Sequence, residues 1–267
     1  MAKGNDGNYL QHSVEVAVAV HLAERHAGGH LHLALAHGMA PFEPCGEIPN
    51  GQARMLLHRA LRAAQQAQSP ADSSIVSAYR ATNASLEHYP NTAELLRGVI
   101  GQDRLSGGIT EVDPLTYVQL AKAWVGSGVS SVRSSWRDQA GPGGVLTCPA
   151  DLDAPWLFTM DPMTYRENGY ADDNNLYRVD LTRVAEAVSS FVASGEPGVA
   201  ALFVYAVKPE IRSQFWGFVD DLAKHTETTV ESCWLTHQGG NRNLCALLCS
   251  AFVLPPKWLP DGLNAGR

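Results

Sequence analysis

The chain has 267 residues, 45% hydrophobic and 18% charged, with 20 basic against 27 acidic residues and a formal net charge of −7. That length holds one large α/β domain with an insertion, or two small domains, and suffices for a full hydrophobic core. The acidic balance argues against a strong, non-specific nucleic-acid binder, whose affinity comes largely from neutralising phosphates.

No apolar run approaches the roughly 18 residues that a membrane span needs. The start Met1-Ala2-Lys3-Gly4-Asn5-Asp6 lacks the apolar stretch of a secretory signal. Five scattered cysteines with no Cys-x-x-Cys pair read as reduced, mostly buried thiols rather than a zinc ribbon. A cytoplasmic protein is expected.

Residues 8–25 read as a helix. Val14, Val16, Val18 and Val20 alternate as a strand would, but the length, the alanines and the Gly28-Gly29 stop favour the helix. In residues 30–41, Leu31, Leu33 and Leu35 alternate and run into Gly38, a strand entering a loop. Residues 52–68 form an amphipathic helix ended by Ser69-Pro70, and 72–87 a second. Pro90-Asn91 starts a third, with Thr92 as its cap and Leu95, Leu96 and Val99 on its buried side. The segment from about 48 to 88 is thus predicted to be a helical insertion.

From Gly107 a short strand runs to Glu111-Val112-Asp113-Pro114. A helix over 115–125 and a strand near 129–132 follow, then a glycine-rich loop at 141–144. The strand 156–161 ends at Asp161-Pro162. A helix is predicted over 176–194. The continuous apolar run 198–207 suits a strand buried on both faces. A helix over 209–224 and strands near 228–236 and 244–254 complete the order. Strands alternating with helices predict an α/β fold, a mostly parallel sheet with helices on both faces, in one domain spanning 1–267.

Ligands of open α/β sheets bind at the carboxyl ends of strands. Three such ends carry candidate chemistry. At His37-Gly38-Met39-Ala40-Pro41, a glycine lets backbone approach a ligand, or simply makes a turn. Glu111 can accept both hydroxyls of a ribose, or stand as an exposed loop acid. At Asp161-Pro162-Met163-Thr164-Tyr165, the carboxylate can bind an exocyclic amine and a nearby aromatic can stack on a base, although Asp-Pro is also a common turn.

Together these ends match one order of motifs. The opening Gly4-Asn5-Asp6-Gly7-Asn8-Tyr9-Leu10-Gln11-His12, the loop LHLALAHGMAP and Tyr89-Pro90-Asn91-Thr92-Ala93 come first. Glu111-Val112-Asp113-Pro114, Asp161-Pro162-Met163-Thr164 and Leu254-Pro255-Pro256-Lys257-Trp258 follow. In this order the chain resembles the RlmJ family, adenine exocyclic-amine methyltransferases of large-subunit ribosomal RNA.

The resemblance implies a class I methyltransferase, Rossmann-like fold with S-adenosylmethionine as cofactor and an adenine-type amine in RNA or DNA as acceptor, RNA before DNA. It implies cofactor contacts from Asn5, His12, His37, Gly38, Ala40, Glu111 and Asp161, with Glu111 on the ribose. Asp161 would hold the amine and Tyr165 would stack on the base. Met163, Thr164 and Arg242 would meet the substrate, Arg242 through a phosphate. Positioning supplies most of such a reaction's acceleration, because the sulfonium is already a good leaving group.

The chain also departs from the family. Gln11 replaces a lysine, Ala34 stands where the cofactor loop has aspartate, and Ala40 where it has glycine. Met163 and Thr164 break the family's Asp-Pro-Pro-Tyr. These changes keep two alternatives in view: a non-catalytic partner protein on a degenerate methyltransferase fold, and a small-molecule methyltransferase. A metal site built on His30 and His32 lacks a carboxylate partner at metal spacing. Serine-nucleophile catalysis lacks a Gly-x-Ser-x-Gly elbow.

Overall fold

The computed structural model describes residues 6–45, 52–66, 74–169 and 172–267. Helix α1 (Asp6–Arg25) leads into strand β1 (Leu31–Leu35) and the short β2 (Phe42–Glu43). Helices α2 (Gln52–Gln65) and α3 (Ser74–Ala81) follow, before β3 (Tyr89–Pro90), α4 (Thr92–Ile100), β4 (Leu105–Thr110), α5 (Pro114–Ala123) and β5 (Gly128–Val132). Next come α6 (Trp136–Gln139), β6 (Trp156–Met160), β7 (Tyr165–Arg166), β8 (Leu176–Tyr177) and α7 (Leu181–Val192). The chain ends with β9 (Gly198–Val207), α8 (Pro209–Thr226), β10 (Thr229–Thr236), β11 (Arg242–Ser250) and β12 (Asn264–Ala265).

Eight strands form one sheet in the order β12-β10-β11-β9-β6-β1-β4-β5. The pairings β1·β4, β4·β5, β1·β6 and β6·β9 are parallel. Strand β11 runs antiparallel between β9 and β10. This is the mostly parallel α/β sheet that the sequence predicts. From β1 the chain first builds outward through β4 and β5, then returns to place β6 on the other side of β1. The crevice between β1 and β6 is therefore the topological switch point, where such sheets bind ligands.

Strand alternation sorts the core into two layers. Leu33, Leu35, Leu157, Ala201, Phe203 and Leu247 face one side with α1, α4 and α5. Ala34, Phe158, Met160, Ala200, Leu202 and Leu248 face the other with α7 and α8. The period-two valines of α1 have their explanation here. The helix packs against the sheet on one side and α2, α3 and α4 on the other. A helix buried nearly all round carries no single apolar stripe.

Helices α2 and α3 lie between β2 and β3, whose antiparallel pairing (Phe42 with Pro90, Glu43 with Tyr89) brings the two ends of that segment together. Four details differ from expectation. Helix α3 stops at Ala81, and Asn83 (φ 50°) turns the chain away, a conformation asparagine tolerates. Helix α4 is capped by Asn91, whose Oδ1 accepts the Glu94 N–H at 2.8 Å, and not by Thr92. The helix predicted over 176–194 starts only at Leu181. Asp180 accepts the Tyr177 N–H at 2.9 Å, which interrupts the helix and leaves Leu176–Tyr177 to pair with β7. The last strand stops at Ser250, before Ala251 (φ 60°).

Among the described residues, no helix is long and apolar enough to cross a membrane, and no group of three or more His, Cys, Asp or Glu residues is placed to hold a metal ion.

Candidate active site

A cavity of about 400 Å³ opens at the switch point. The loop after β1 supplies Ala36, His37, Gly38, Met39 and Ala40. The loop after β4 supplies Glu111, Val112 and Asp113, and β6 leads into Asp161. The fold thus brings Glu111 and Asp161 to one cavity, with His37, Gly38 and Ala40 between them. Sequence reasoning missed other lining residues: Glu43, Thr110, Ser134, Trp136, Asp173 and Asn174.

Gly38 is required by the protein's own backbone. Its N–H donates to the Thr110 carbonyl at 2.5 Å. A Cβ there would lie 2.9 Å from that carbonyl oxygen and 3.1 Å from Glu111 Cβ. The glycine therefore seats the β1 loop directly on the end of β4, which sets the spacing between His37 and Glu111. Asn91 holds the same loop from behind, donating to the Met39 carbonyl at 2.8 Å while its backbone N–H meets Pro41.

Glu111 follows β4 directly. One carboxylate oxygen accepts the Asp113 N–H at 2.8 Å. The Val112 N–H also supports the carboxylate. Burial pushes its pKa above the ordinary carboxylate value, against the opposing pull of the Asp113 N–H and the nearby His37. A half-buried carboxylate that lines a cavity and has acceptor sites to spare is the donor-seeking group that a ribose diol satisfies.

Asp161 is 4% exposed. Its Oδ1 lies 3.2 Å from His37 Nδ1, and its backbone N–H points at the same nitrogen at 3.4 Å. The far nitrogen, His37 Nε2, donates to the Asp173 carbonyl at 2.9 Å. Burial opposes charging of this imidazole, but the Asp161 carboxylate outweighs it, and the pKa lies above the usual histidine value. Asp161 Oδ2 receives no hydrogen bond from a described residue.

Arg137 fixes the loop that presents Asp173. All five of its N–H groups are used: two on the Asp180 carboxylate, both at 2.7 Å, and the others on Asp172 O, Asp173 Oδ1 and Asn175 O. Ser135 adds a bond to Asp173 Oδ1 at 2.7 Å, and the Trp136 indole reaches the Asp173 carbonyl at 3.3 Å. The roof of the cavity is thus tied to the segment after β5 by buried, charge-assisted bonds.

Beneath the cavity lies a polar cluster on α1 that the sequence did not disclose. Glu15 is fully buried. It accepts Thr159 Oγ1 at 2.5 Å, Thr92 Oγ1 at 2.6 Å and Gln11 Nε2 at 3.2 Å. Tyr205 in turn donates to Gln11 Oε1 at 3.2 Å. Loss of hydration raises the pKa of Glu15 to about 8, although three hydrogen bonds pull the other way. Gln11, which stands where the resembled family has lysine, is consumed by this interior cluster.

The other expected residues fall as follows. Asn5 lies outside the described residues. His12 does not line the cavity; it is buried, stacked on Tyr89, with Nδ1 3.1 Å from the Tyr89 hydroxyl. Tyr165 also lies outside the lining, because its ring is buried against Phe215 and Phe218 and its hydroxyl donates to Glu167 at 2.7 Å. The base-stacking place expected of it is thus inside the core. Met163 is half exposed, and its backbone is held by Asn174 and Tyr205. Thr164 accepts the Leu176 N–H at 3.0 Å through its carbonyl. Arg242 shares the cavity's rim of the sheet but stands three strands from β1, on the order of 14 Å at the usual strand spacing. Its guanidinium covers the Trp234 ring at 3.7 Å. Asn243 points inward instead and accepts the Ala206 N–H at 2.8 Å. Ala34 is buried against the α7 and α8 layer, so no acid replaces the aspartate expected there.

The sequence matches no protein-family model and no curated protein. Among solved structures it is similar to protein LPL1258 of Legionella pneumophila str. Philadelphia 1, of the DUF519 family model. The TM-score is 0.63 and the identity 11%, covering 97% of this chain and 88% of that one. This likeness extends over nearly the whole fold. Partial likenesses include the N-methyltransferase NodS of Bradyrhizobium japonicum WM9 (TM-score 0.30, 13% identity, 56% of this chain and 76% of that one). The carbon methyltransferase CurJ gives a TM-score of 0.33 and 9% identity over 60% of this chain and 45% of that one.

Proposed function

We propose that the protein is an S-adenosylmethionine-dependent N-methyltransferase whose acceptor amine sits at Asp161. The observation that carries this reading is the meeting of Glu111 and Asp161 in one cavity at the switch point of a mostly parallel sheet. The residues present fit the cofactor: the remaining acceptor capacity of the Glu111 carboxylate suits the ribose diol, and the backbone of 36–40 lines the same cavity for the remainder. When bound, the cofactor supplies an electrophilic methyl group. The chain's own part is to hold the acceptor nitrogen in line at Asp161. The reading itself requires only an amine at Asp161; an adenine-type amine of RNA or DNA is what the sequence resemblance adds to it.

A second reading, a non-catalytic partner protein on the same fold, is favoured by the engagement of Gln11 with Glu15 and Tyr205. It also gains from the absence of Lys or Arg among the described residues that line the cavity. Incubation with methyl-labelled S-adenosylmethionine and, separately, host RNA and a host metabolite extract distinguishes the two. Label fixed in either fraction supports the enzyme. A stable protein complex with no label in either overturns it.

A further inference from the structure

The walls of the cavity carry Glu43, Glu111, Asp113, Asp161 and Asp173, the last paired with Arg137 behind the wall, and no lining Lys or Arg among the described residues. With Glu111 assigned to the ribose, the acceptor's end is still acidic. The free oxygen at that end is Asp161 Oδ2, on a residue 96% buried and lining the cavity. Such a wall repels phosphate and attracts a cation. An adenine acceptor needs a different wall, since its amine is uncharged at neutral pH and its ring asks for a stacking partner. Tyr165, the residue expected to stack, is packed inside the core, and Trp136, which lines the cavity, is buried with the Arg137 guanidinium 4.5 Å over its ring.

His37 carries the second observation. Its Nε2–H is fixed on the Asp173 carbonyl, so a proton can come and go only at Nδ1. That nitrogen has a partner in either state. Neutral, it accepts the Asp161 backbone N–H. Protonated, it donates to Asp161 Oδ1. An imidazole satisfied both with and without its second proton is built to take one up. Adenine methylation has no use for that, since its amine already offers a neutral nitrogen.

Resting on the methyltransferase reading, we propose that the acceptor is an aliphatic amine, bound as its ammonium ion and deprotonated by the Asp161–His37 pair before methylation. An alkylammonium has no lone pair and cannot attack. With a pKa like that of lysine, only roughly one molecule in two thousand is free amine at pH 7. The ammonium yields one proton to the Asp161 carboxylate, and a turn of the carboxyl group passes it to His37 Nδ1. With the cofactor bound, the freed nitrogen pair would displace sulfur at the methyl carbon, the electron pair of the broken C–S bond leaving with sulfur. The product leaves as a methylated ammonium, and His37 returns its proton to water. Among charged groups facing the imidazole, Asp161 and Glu111 favour its protonation, as does the Asp173 carbonyl.

The test has a binding arm and a transfer arm, both on the full chain, after calorimetry with S-adenosylhomocysteine has established cofactor binding. Putrescine and propylamine are titrated into the protein with S-adenosylhomocysteine bound, at a pH where His37 is neutral. The imidazole nitrogens of His37 are followed by NMR and assigned with His37→Asn. Amine binding should move them to imidazolium shifts. In the transfer arm, labelled methyl should pass to an aliphatic amine, with kcat/KM falling at acid pH. His37→Asn should lose about 100-fold at pH 7 and flatten that acid limb. Label on adenosine or polyadenylate but on no aliphatic amine, or amines that leave the imidazole unmoved, would overturn the proposal while the methyltransferase reading stands. Absence of cofactor binding would overturn both.

Discussion

Replacing Glu15 with glutamine should make the protein more stable above pH 8 and little different below pH 5. The wild-type carboxyl titrates at about 8 in the folded chain against an ordinary 4.5. Because the folded value is raised, the unfolded chain loses its proton first. Stability is therefore complete below 4.5 and falls as pH rises toward 8. The slope is about 1.4 kcal/mol per pH step, which accumulates to about 5 kcal/mol at pH 8. Glutamine keeps the shape and never ionises. It must reverse one of the hydroxyl bonds from Thr92 or Thr159, at about 1 kcal/mol. The variant should thus be about 1 kcal/mol weaker below pH 4, about equal near pH 5 and about 4 kcal/mol stronger at pH 9. Urea unfolding of both proteins across pH 3.5–9 reads this as two curves that cross near pH 5. Parallel curves would refute the reasoning, because they would mean that Glu15 titrates alike in the folded and unfolded chains.

Three further predictions concern the cavity. Arg137→Ala strands the buried Asp180 carboxylate and releases the roof; it should cost about 3–5 kcal/mol in denaturant unfolding, and a loss under 1 kcal/mol would contradict the role given to Arg137. Gly38→Ala drives a methyl group against the Thr110 carbonyl and should cost about 1–3 kcal/mol, read by chemical denaturation, with S-adenosylhomocysteine affinity falling in parallel. Tyr165→Phe removes the hydroxyl's bonds with Glu167 and Arg178, together worth about 1–2 kcal/mol. Ligand affinity and turnover should be unchanged, and a large loss of turnover would show that the ring does reach the acceptor.

The fold was legible because its signals are local. Leu31, Leu33 and Leu35 alternate toward the α1 layer, and the apolar run 198–207 is buried on both faces as its composition requires. The strand ends at His37, Glu111 and Asp161 followed from the same alternation, and the sheet order then brought them together. What the sequence concealed depends on partners far along the chain. Glu15 reads as one polar residue in an apolar helix until Thr92 and Thr159 are folded onto it. Arg137 and Asp180 are 43 residues apart and carry no shared motif, yet they fix the roof. The misplaced residues fail for related reasons. Tyr165 follows Asp161 closely enough to suggest a shared site, but its ring turns into the α8 layer. The Thr92 hydroxyl is drawn to Glu15, leaving the cap of α4 to Asn91.

The most direct test of the account is titration calorimetry with S-adenosylhomocysteine on the wild-type protein and Glu111→Ala. The account predicts one site per chain, with affinity weakened about 10- to 100-fold by the substitution, as expected for lost hydrogen bonds to a charged group. A wild-type protein that takes up no ligand at millimolar concentration, or one that binds equally well without the Glu111 carboxylate, would contradict it.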